Sequence, residues 1–377
     1  NFLRQKMMPV VTQRLLQQGT LTFYYGNFNR DKTVWRTFGH EPRYSTEYVG
    51  LRGRLGILSE AYSYISYEER ISATRDFVSA CLDYLHQNAN TIVQLLDAVD
   101  DDLTRIAARQ PSRVPVSLNA RAEKFDEQCV LKGYKEDQPH DYQCDFVGKY
   151  VPTRSVPLPY GYLIPQQFVR SVDRLLMHGI RVEQLSADAE IPVTVNTINQ
   201  INRQERAFQK HRMVQVQSRT SQDKRLIRKG TYVVTTDQPL ARLAAYLLEC
   251  ESDDGLVFWN FFDRKIGVDQ EYPVFRIEQP TSLQKTVVNA VSKSMPITFD
   301  MMGGPDSIIP DQTAPRWVNC NQIEIDLYDR KYRLDPETMS FQGRVEPAFK
   351  SDQLQELLQK QGISQETASE LAATDPI

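Results

Sequence analysis

No stretch of this chain approaches the roughly 20 consecutive apolar residues needed to cross a bilayer. The longest apolar runs, such as Leu243–Leu248, are core-sized. An excess of charge of one sign is also missing. The 45 basic and 48 acidic residues leave a net charge of -3, so bulk charge does not drive nucleic-acid binding, although a local basic face stays open. The cysteines are five, Cys81, Cys129, Cys144, Cys250 and Cys320. That odd number without a CxxC pair argues against a disulfide framework or a structural zinc site. One bridge, for instance Cys129 to Cys144, stays open for an exported protein. The five histidines, His40, His86, His140, His178 and His211, are scattered. His140 near Cys144 supplies only two ligands, which make no metal site. There is no Walker A sequence, no G-x-S-x-G elbow and no G-x-G-x-x-G. His40-Glu41 lacks the second histidine of a zincin helix, and Pro42 would break that helix. The start, Asn1-Phe2-Leu3, carries no initiator Met and no signal pattern, so it does not reveal a compartment.

What is present is ordinary globular composition: 41% hydrophobic and 25% charged residues. A length of 377 residues implies about two to three domains and a core that needs no disulfide staples. Residues 1–110 read as α/β. Leu21–Tyr25 has the bulky β-prone pattern of a strand. Leu55–Ser59 reads as a short strand buried on both faces. Ser66-Tyr67-Glu68-Glu69 is a capping box. The helix after it places Ile71, Thr74, Phe77, Val78, Cys81, Leu82 and Leu85 on one stripe. A second helix from about Asn90 turns Ile92, Val93, Leu96, Val99, Leu103 and Ile106 inward, and Gln110-Pro111-Ser112 ends it.

Residues 111–278 have a β-rich texture. The expected strands are Val114–Leu118, Ile191–Val195, Met213–Val216, Thr231–Val234 and Leu256–Phe262. Two helices interrupt them: Gln166–His178, closed by Gly179, and Pro239–Leu248, with proline in its first turn. Tyr162–Pro165, the Gln166–His178 helix and Ile180–Leu185 form a small β-α-β element. Residues 279–315 are rich in Pro, Ser, Asp and Gly and read as a linker. Residues 316–377 read as a hairpin, Gln322–Tyr328 with Tyr332–Leu334, then a helix at Ser351–Lys360.

Several clusters invite chemistry. Glu60 follows the expected strand Leu55–Ser59, and groups at strand carboxyl ends line the crevice of open α/β sheets. A carboxylate there, backed by apolar residues, can serve as a general base. A solvated glutamate, or one paired with Arg52 or Arg54, is the plainer reading. Glu249, Glu251, Asp253 and Asp254 before Gly255 have the alternation of a calcium loop, but the remaining ligand positions do not fit. A solvated acidic turn is the better reading. Lys224, Arg225, Arg228 and Lys229 read as an exposed basic hairpin. Trp35, Trp259 and Trp317 are dispersed and read as packing residues rather than as a sugar-stacking platform.

The order Tyr48-x-Gly50, Arg52, an apolar segment ending in Ser59-Glu60 and then a long helix resembles the end of the zinc metallocarboxypeptidase fold, more narrowly a bacterial subgroup of that family. The resemblance extends through Tyr162–Pro165, His178–Ile180, Gln238–Glu249 and Trp259–Asp263. It implies a partial metallocarboxypeptidase-type α/β sheet with helices in residues 1–110, followed by a β-rich α+β accessory domain. It implies that Glu60 activates a zinc-bound water and shuttles its proton. The place of the family's substrate-contacting tyrosine falls near Phe38, which has no hydroxyl, so Tyr44 or Tyr48 would stand in. Arg43 would anchor a substrate carboxylate, since a guanidinium binds one bidentately.

The family holds zinc through an H-x-x-E pair and a later histidine, all upstream of this segment and absent here. The resemblance therefore implies that the chain is the C-terminal part of a longer zinc peptidase, inactive by itself. The parent would act on peptide or cell-wall-type amide bonds, outside the cytoplasm as relatives often do. The missing N-terminal part of the peptidase domain would be its partner. A non-enzymatic binding or scaffold module that keeps the sheet only as structure is the alternative. The tail, through Trp317, Ile323–Leu327, Tyr332–Leu334 and Glu346-Pro347, resembles the opening of a β-propeller of dipeptidyl-peptidase-like serine peptidases.

Overall fold

The computed structural model describes residues 2–288 and, further along, the strands Ile323–Leu327, Arg330–Asp335 and Ser340–Val345. The chain divides into two units, Asn1–Val287 and Val288–Ile377. In the first, a π-helical turn at Leu3–Met7 leads into α1 (Met8–Gln17). Met7, Val11 and Leu15 recur every four residues and so share one face. They pack against Ala80 of α3 (Tyr67–Gln87), with Phe77, Cys81, Tyr84 and Leu85 around it. The capping box forms as read: Ser66 Oγ accepts from Glu69 N–H at 3.2 Å, and Glu69 Oε2 accepts from Ser66 N–H at 2.9 Å. The expected stripe of α3 is rotated, however. Ile71, Val78 and Leu82 are exposed because α1 covers the flank centred on Ala80. Helix α4 (Ala89–Arg109) buries Ile92, Leu103 and Ala107, leaves Val93 exposed, and stops before Pro111.

The two strands expected before α3 do not form. Leu21–Tyr25 and Leu55–Ser59 are irregular, and the sheet partners needed to satisfy their backbones are lacking among the described residues. Between them lie two shorter strands, β1 (Asn27–Phe28) and β2 (Val34–Arg36), and helix α2 (Ser45–Leu51). Apolar content alone does not make a strand. Ile57 and Leu58 stay exposed, and Phe23 and Tyr24 reach Phe146 as packing groups instead.

Two long strands follow, β3 (Pro115–Lys135) and β4 (Gln138–Pro157), paired antiparallel. Their turn is two residues long, with φ +49° at Glu136 and +61° at Asp137. That left-handed pair suits the right-handed twist of the ribbon. β2 adds to β4 in parallel, giving the order β1-β2-β4-β3.

The larger sheet is antiparallel throughout. It uses β5 (Gly161–Ile164), β6 (Glu183–Leu185), β7 (Ala189–Arg203), β8 (Val214–Ile227), β9 (Tyr232–Thr235), β10 (Phe275–Ile277) and β11 (Lys285–Val287), in the order β11-β6-β9-β5-β10-β7-β8. One face gathers Leu163, Leu185, Ile191, Val193, Val195, Ile227, Val233 and Ile277 into a core. The β-α-β element is present as β5, α5 (Val169–Met177) and β6. Gly179, at φ +79°, closes α5: its N–H bonds Leu176 C=O at 2.8 Å while Ile180 N–H bonds Leu175 C=O at 3.1 Å. This is a Schellman closure, which wants glycine at the left-handed position. Helix α6 (Ala241–Leu248) forms as expected. Leu256–Phe262 does not form a strand; it is a run of turns in which Asn260 has φ +68°.

In the second unit the expected hairpin is present, with Ile323 opposite Leu334 and Leu327 opposite Arg330, and a third strand, Ser340–Val345, extends it. Within the expected 279–315 linker, Lys285–Val287 is instead strand β11, paired with β6; its residues from 289 on, Trp317 and the expected helix at Ser351–Lys360 lie outside the described residues.

Candidate functional site

The feature that organises the first unit is the turn after α6. Its backbone leaves the helix at Glu249, with φ -70° and ψ 127°, and its four carboxylates then diverge. Glu249 Oε1 accepts from Tyr162 Oη at 2.7 Å and from the Arg276 guanidinium. Glu251 Oε1 accepts from Ser218 N–H and Oγ, both at 2.8 Å, and its Oε2 from Arg154 Nε at 2.8 Å. Asp253 meets His40 Nε2 at 2.7 Å and accepts from the Tyr246 hydroxyl. Asp254 accepts from Arg43 N–H, the Arg43 guanidinium and Trp259 Nε1, each at 2.8 Å. This corrects the reading of a solvated acidic turn. The carboxylates do not converge on a cation; each reaches its own separate set of partners within the chain.

Burial and pairing set the electrostatics. The hydrogen bond to Asp253 raises the His40 pKa against the opposing effect of burial. Burial raises Asp254, offset by Arg43 and Trp259. Glu249 is pushed up by desolvation, against the pull of Arg276. Burial is the largest influence on Arg276 and lowers it, yet the facing Glu249 carboxylate holds it above its ordinary value. A buried ion pair of this kind depends on both members being present.

The residues singled out from sequence divide accordingly. Arg43 does bind a carboxylate, but it is the chain's own Asp254, with the guanidinium also over Phe258 and Trp259 at 5.1 and 5.2 Å. Tyr48 Oη lies 2.7 Å from His178 Nδ1 and accepts from Arg52 at 3.0 Å, while Arg52 also bonds His178 C=O at 2.6 Å. His178 is lowered to about 4 by burial and by Arg174 and Arg52, so its ring is neutral and the tyrosine donates. Tyr44 precedes α2, exposed, with its ring 5.1 Å from that of Phe38. Glu60 is exposed in an irregular segment, with no hydrogen bond or ion pair among the described residues. Arg43 and Tyr48 therefore clamp the 38–52 segment to the β-rich part, and Glu60 shares none of their partners.

Among the described residues, no group of three or more His, Cys, Asp or Glu could hold a metal ion. His140 and Cys144 are four positions apart on β4, a spacing of roughly 13 Å along a strand. The basic run is largely paired: Lys224 with Glu190, Arg225 with Asp223 and Glu271, Arg228 with Asp188.

Sequence reasoning missed a cleft of about 460 Å³ whose floor is the polar face of the large sheet. Tyr162, Arg276, Thr194 and Gln222 are successive cross-strand partners on β5, β10, β7 and β8, and Asn196 stands opposite Thr220. Val193 and Val195 point to the core while Thr194 and Asn196 take the other face, as strand alternation requires. Both polar residues are nonetheless buried, at 8% and 5% exposure. The base of the β3–β4 ribbon, at Leu118 and Arg154, and the Glu249–Glu251 turn complete the walls. The signal was the Val-Thr-Val-Asn alternation, which ordinarily marks a solvated face.

No family model matches the chain, and no solved structure matches it. Among curated proteins it is similar to Carboxypeptidase 2 of Trichophyton tonsurans, 28% identical over 142 residues. Carboxypeptidase 2 of Trichophyton equinum and of Trichophyton rubrum are each 27% identical over 142 residues. Each alignment covers 38% of this chain and 26% of the relative. The chain thus spans about a quarter of the length of the curated relatives it matches, and the relationship is carboxypeptidase-like.

Proposed function

We propose that this chain is a distal, non-catalytic portion of a carboxypeptidase-like peptidase. In it, a helical first part is strapped by residues 38–52 onto a β-rich accessory domain. The observation that carries this reading is the 142-residue similarity to the fungal carboxypeptidases. The parent would remove residues from the C-terminal ends of peptides or of related amides. In this reading the zinc implied by the family resemblance would be held by residues of the longer protein, and bond cleavage belongs there. Glu60, exposed and outside any sheet, is given no part in it. Arg43 and Tyr48 act as internal braces.

The test is release of amino acids from peptides with a free C-terminal carboxylate, with and without added zinc. The purified chain is expected to release none, whereas a longer natural protein containing it hydrolyses them. Hydrolysis by the chain alone, lost in Glu60→Gln, would overturn the assignment. The polar cleft favours a second reading, a binding module without chemistry of its own, in which case the longer protein would bind ligand in the cleft and hydrolyse nothing.

A further inference from the structure

The cleft holds three buried polar groups with unused capacity. Glu249 Oε1 receives both the Tyr162 hydroxyl and Arg276, while no donor reaches its Oε2 among the described residues. The side chains of Asn196 and Thr194 have no hydrogen-bond partner among the described residues, although both are more than nine-tenths buried and line the cavity. Their free polar atoms are open to the cleft rather than sealed inside the protein, so they are available to water or to a ligand that completes them. The Arg276 guanidinium bonds Glu249 Oε1, Pro157 C=O and both carboxylate oxygens of Glu278, and none of these bonds goes to Glu249 Oε2. What the site lacks at Glu249 is therefore a donor. The charged walls are Glu249, Glu251 and Glu278 against Arg154 and Arg276, a surplus of one negative charge. A volume of about 460 Å³ is within the usual range for small-molecule sites.

The geometry points to a binding site for a small organic cation that carries a primary ammonium group. The ammonium would donate to Glu249 Oε2, and a polar remainder would bond the Asn196 amide and the Thr194 hydroxyl. The divergent carboxylates and the lack of a metal-holding group among the described residues argue against an inorganic cation. An ammonium brings both the charge and the N–H donors that the free oxygen requires. This inference goes beyond the peptidase reading and does not rest on it, since every residue used lies in the β-rich part.

The test is calorimetric titration of the full chain with L-alaninamide. Tetramethylammonium serves as a charge without donors, and propionamide as an amide without charge. L-Alaninamide is expected to bind saturably and both controls to fail. L-Alanine, an alanyl dipeptide and putrescine then separate a free amino acid, a peptide N-terminus and a polyamine as sources of the ammonium. Thr194→Val and Asn196→Ala should each weaken binding about tenfold with an unchanged thermal melt, and Glu249→Gln should abolish it. If Glu249→Gln fails to fold, the first two variants decide. Failure of every amine to saturate the site, equal binding of tetramethylammonium, or unchanged affinity in both Thr194→Val and Asn196→Ala would overturn the inference.

Discussion

Replacing Arg43 by leucine separates two roles for the same guanidinium. As an internal brace it neutralises Asp254, whose side chain is only 2% exposed, while Arg43 itself is 23% exposed. Removing one partner of a buried pair costs about 3–5 kcal/mol. Here the lower end applies, because Asp254 keeps the Arg43 backbone N–H and Trp259 Nε1 as donors. Loss of the cation–π contacts to Phe258 and Trp259 adds about 0.5–1 kcal/mol. Arg43→Leu is thus expected to destabilise the first unit by roughly 3.5–4 kcal/mol, read from urea unfolding as a shift in midpoint at constant slope. Asp254→Asn should cost less, since Arg43 can turn to water. The double-mutant cycle should return a coupling of about 1–2 kcal/mol. Hydrogen exchange in residues 38–52 should accelerate in both single variants. A loss below about 1 kcal/mol in Arg43→Leu, joined to a raised KM in a longer active protein, would refute the brace and restore Arg43 as a substrate anchor.

Stability should carry two opposed histidine signatures. His178 falls from the ordinary 6.5 to about 4 on folding. Its contribution is therefore full above pH 6.5 and is lost as the pH falls through about 4. The whole shift corresponds to about 3 kcal/mol, and with partial solvation about 1–2 kcal/mol is expected. His40 is raised by Asp253, so its contribution is full below the unfolded value and is lost as the pH rises through the folded one. Urea midpoints from pH 4 to 8 should lose the first slope in His178→Phe and the second in His40→Asn; unchanged profiles would refute the pairings. Cys129 and Cys144 are free thiols directly opposite on the β3–β4 ladder, within the Cα range of a disulfide. Oxidised glutathione, taking up their two electrons and two protons, should link them, and peptide mapping that finds no 129–144 link would contradict that register. The Arg4 guanidinium stands 3.9 Å from the Phe125 ring centroid and 4.5 Å from that of Tyr24. Arg4→Gln should cost about 1–2 kcal/mol and expose α1 to protease; unaltered resistance would show the stacking to be idle.

Where the deciding interactions are local, the sequence was readable. Ser66 and Glu69 bond each other across one helical turn. Gly179 closes α5 because the position demands a left-handed backbone. The hairpin pairing Ile323 with Leu334 needs only its own two strands. Readings that depended on distant segments fared differently. Leu55–Ser59 has a strand's composition, but a strand exists only where another backbone answers it, and none does among the described residues. The reverse error hid the ribbon. Pro115–Lys135 and Gln138–Pro157 are largely exposed and rich in charge, so hydrophobic period carries little of their signal. Their register is instead pinned at the Glu136–Asp137 turn.

The site shows the same limit in sharper form. Glu249, Glu251, Asp253 and Asp254 are adjacent in sequence, and adjacency suggested either one cation or common solvent. Their partners are Arg276, Arg154, His40 and Arg43, drawn from 27 to 213 positions away. No spacing rule relates these residues; the fold does. Thr194 and Asn196 follow the same logic. Alternation with Val193 and Val195 correctly assigns them the face opposite the core. Only the ribbon base and the acidic turn, arriving from elsewhere in the chain, convert that face from a wetted surface into a buried polar floor. The floor so made keeps polar atoms open to an enclosed space, a property that arises from tertiary placement and not from the local sequence.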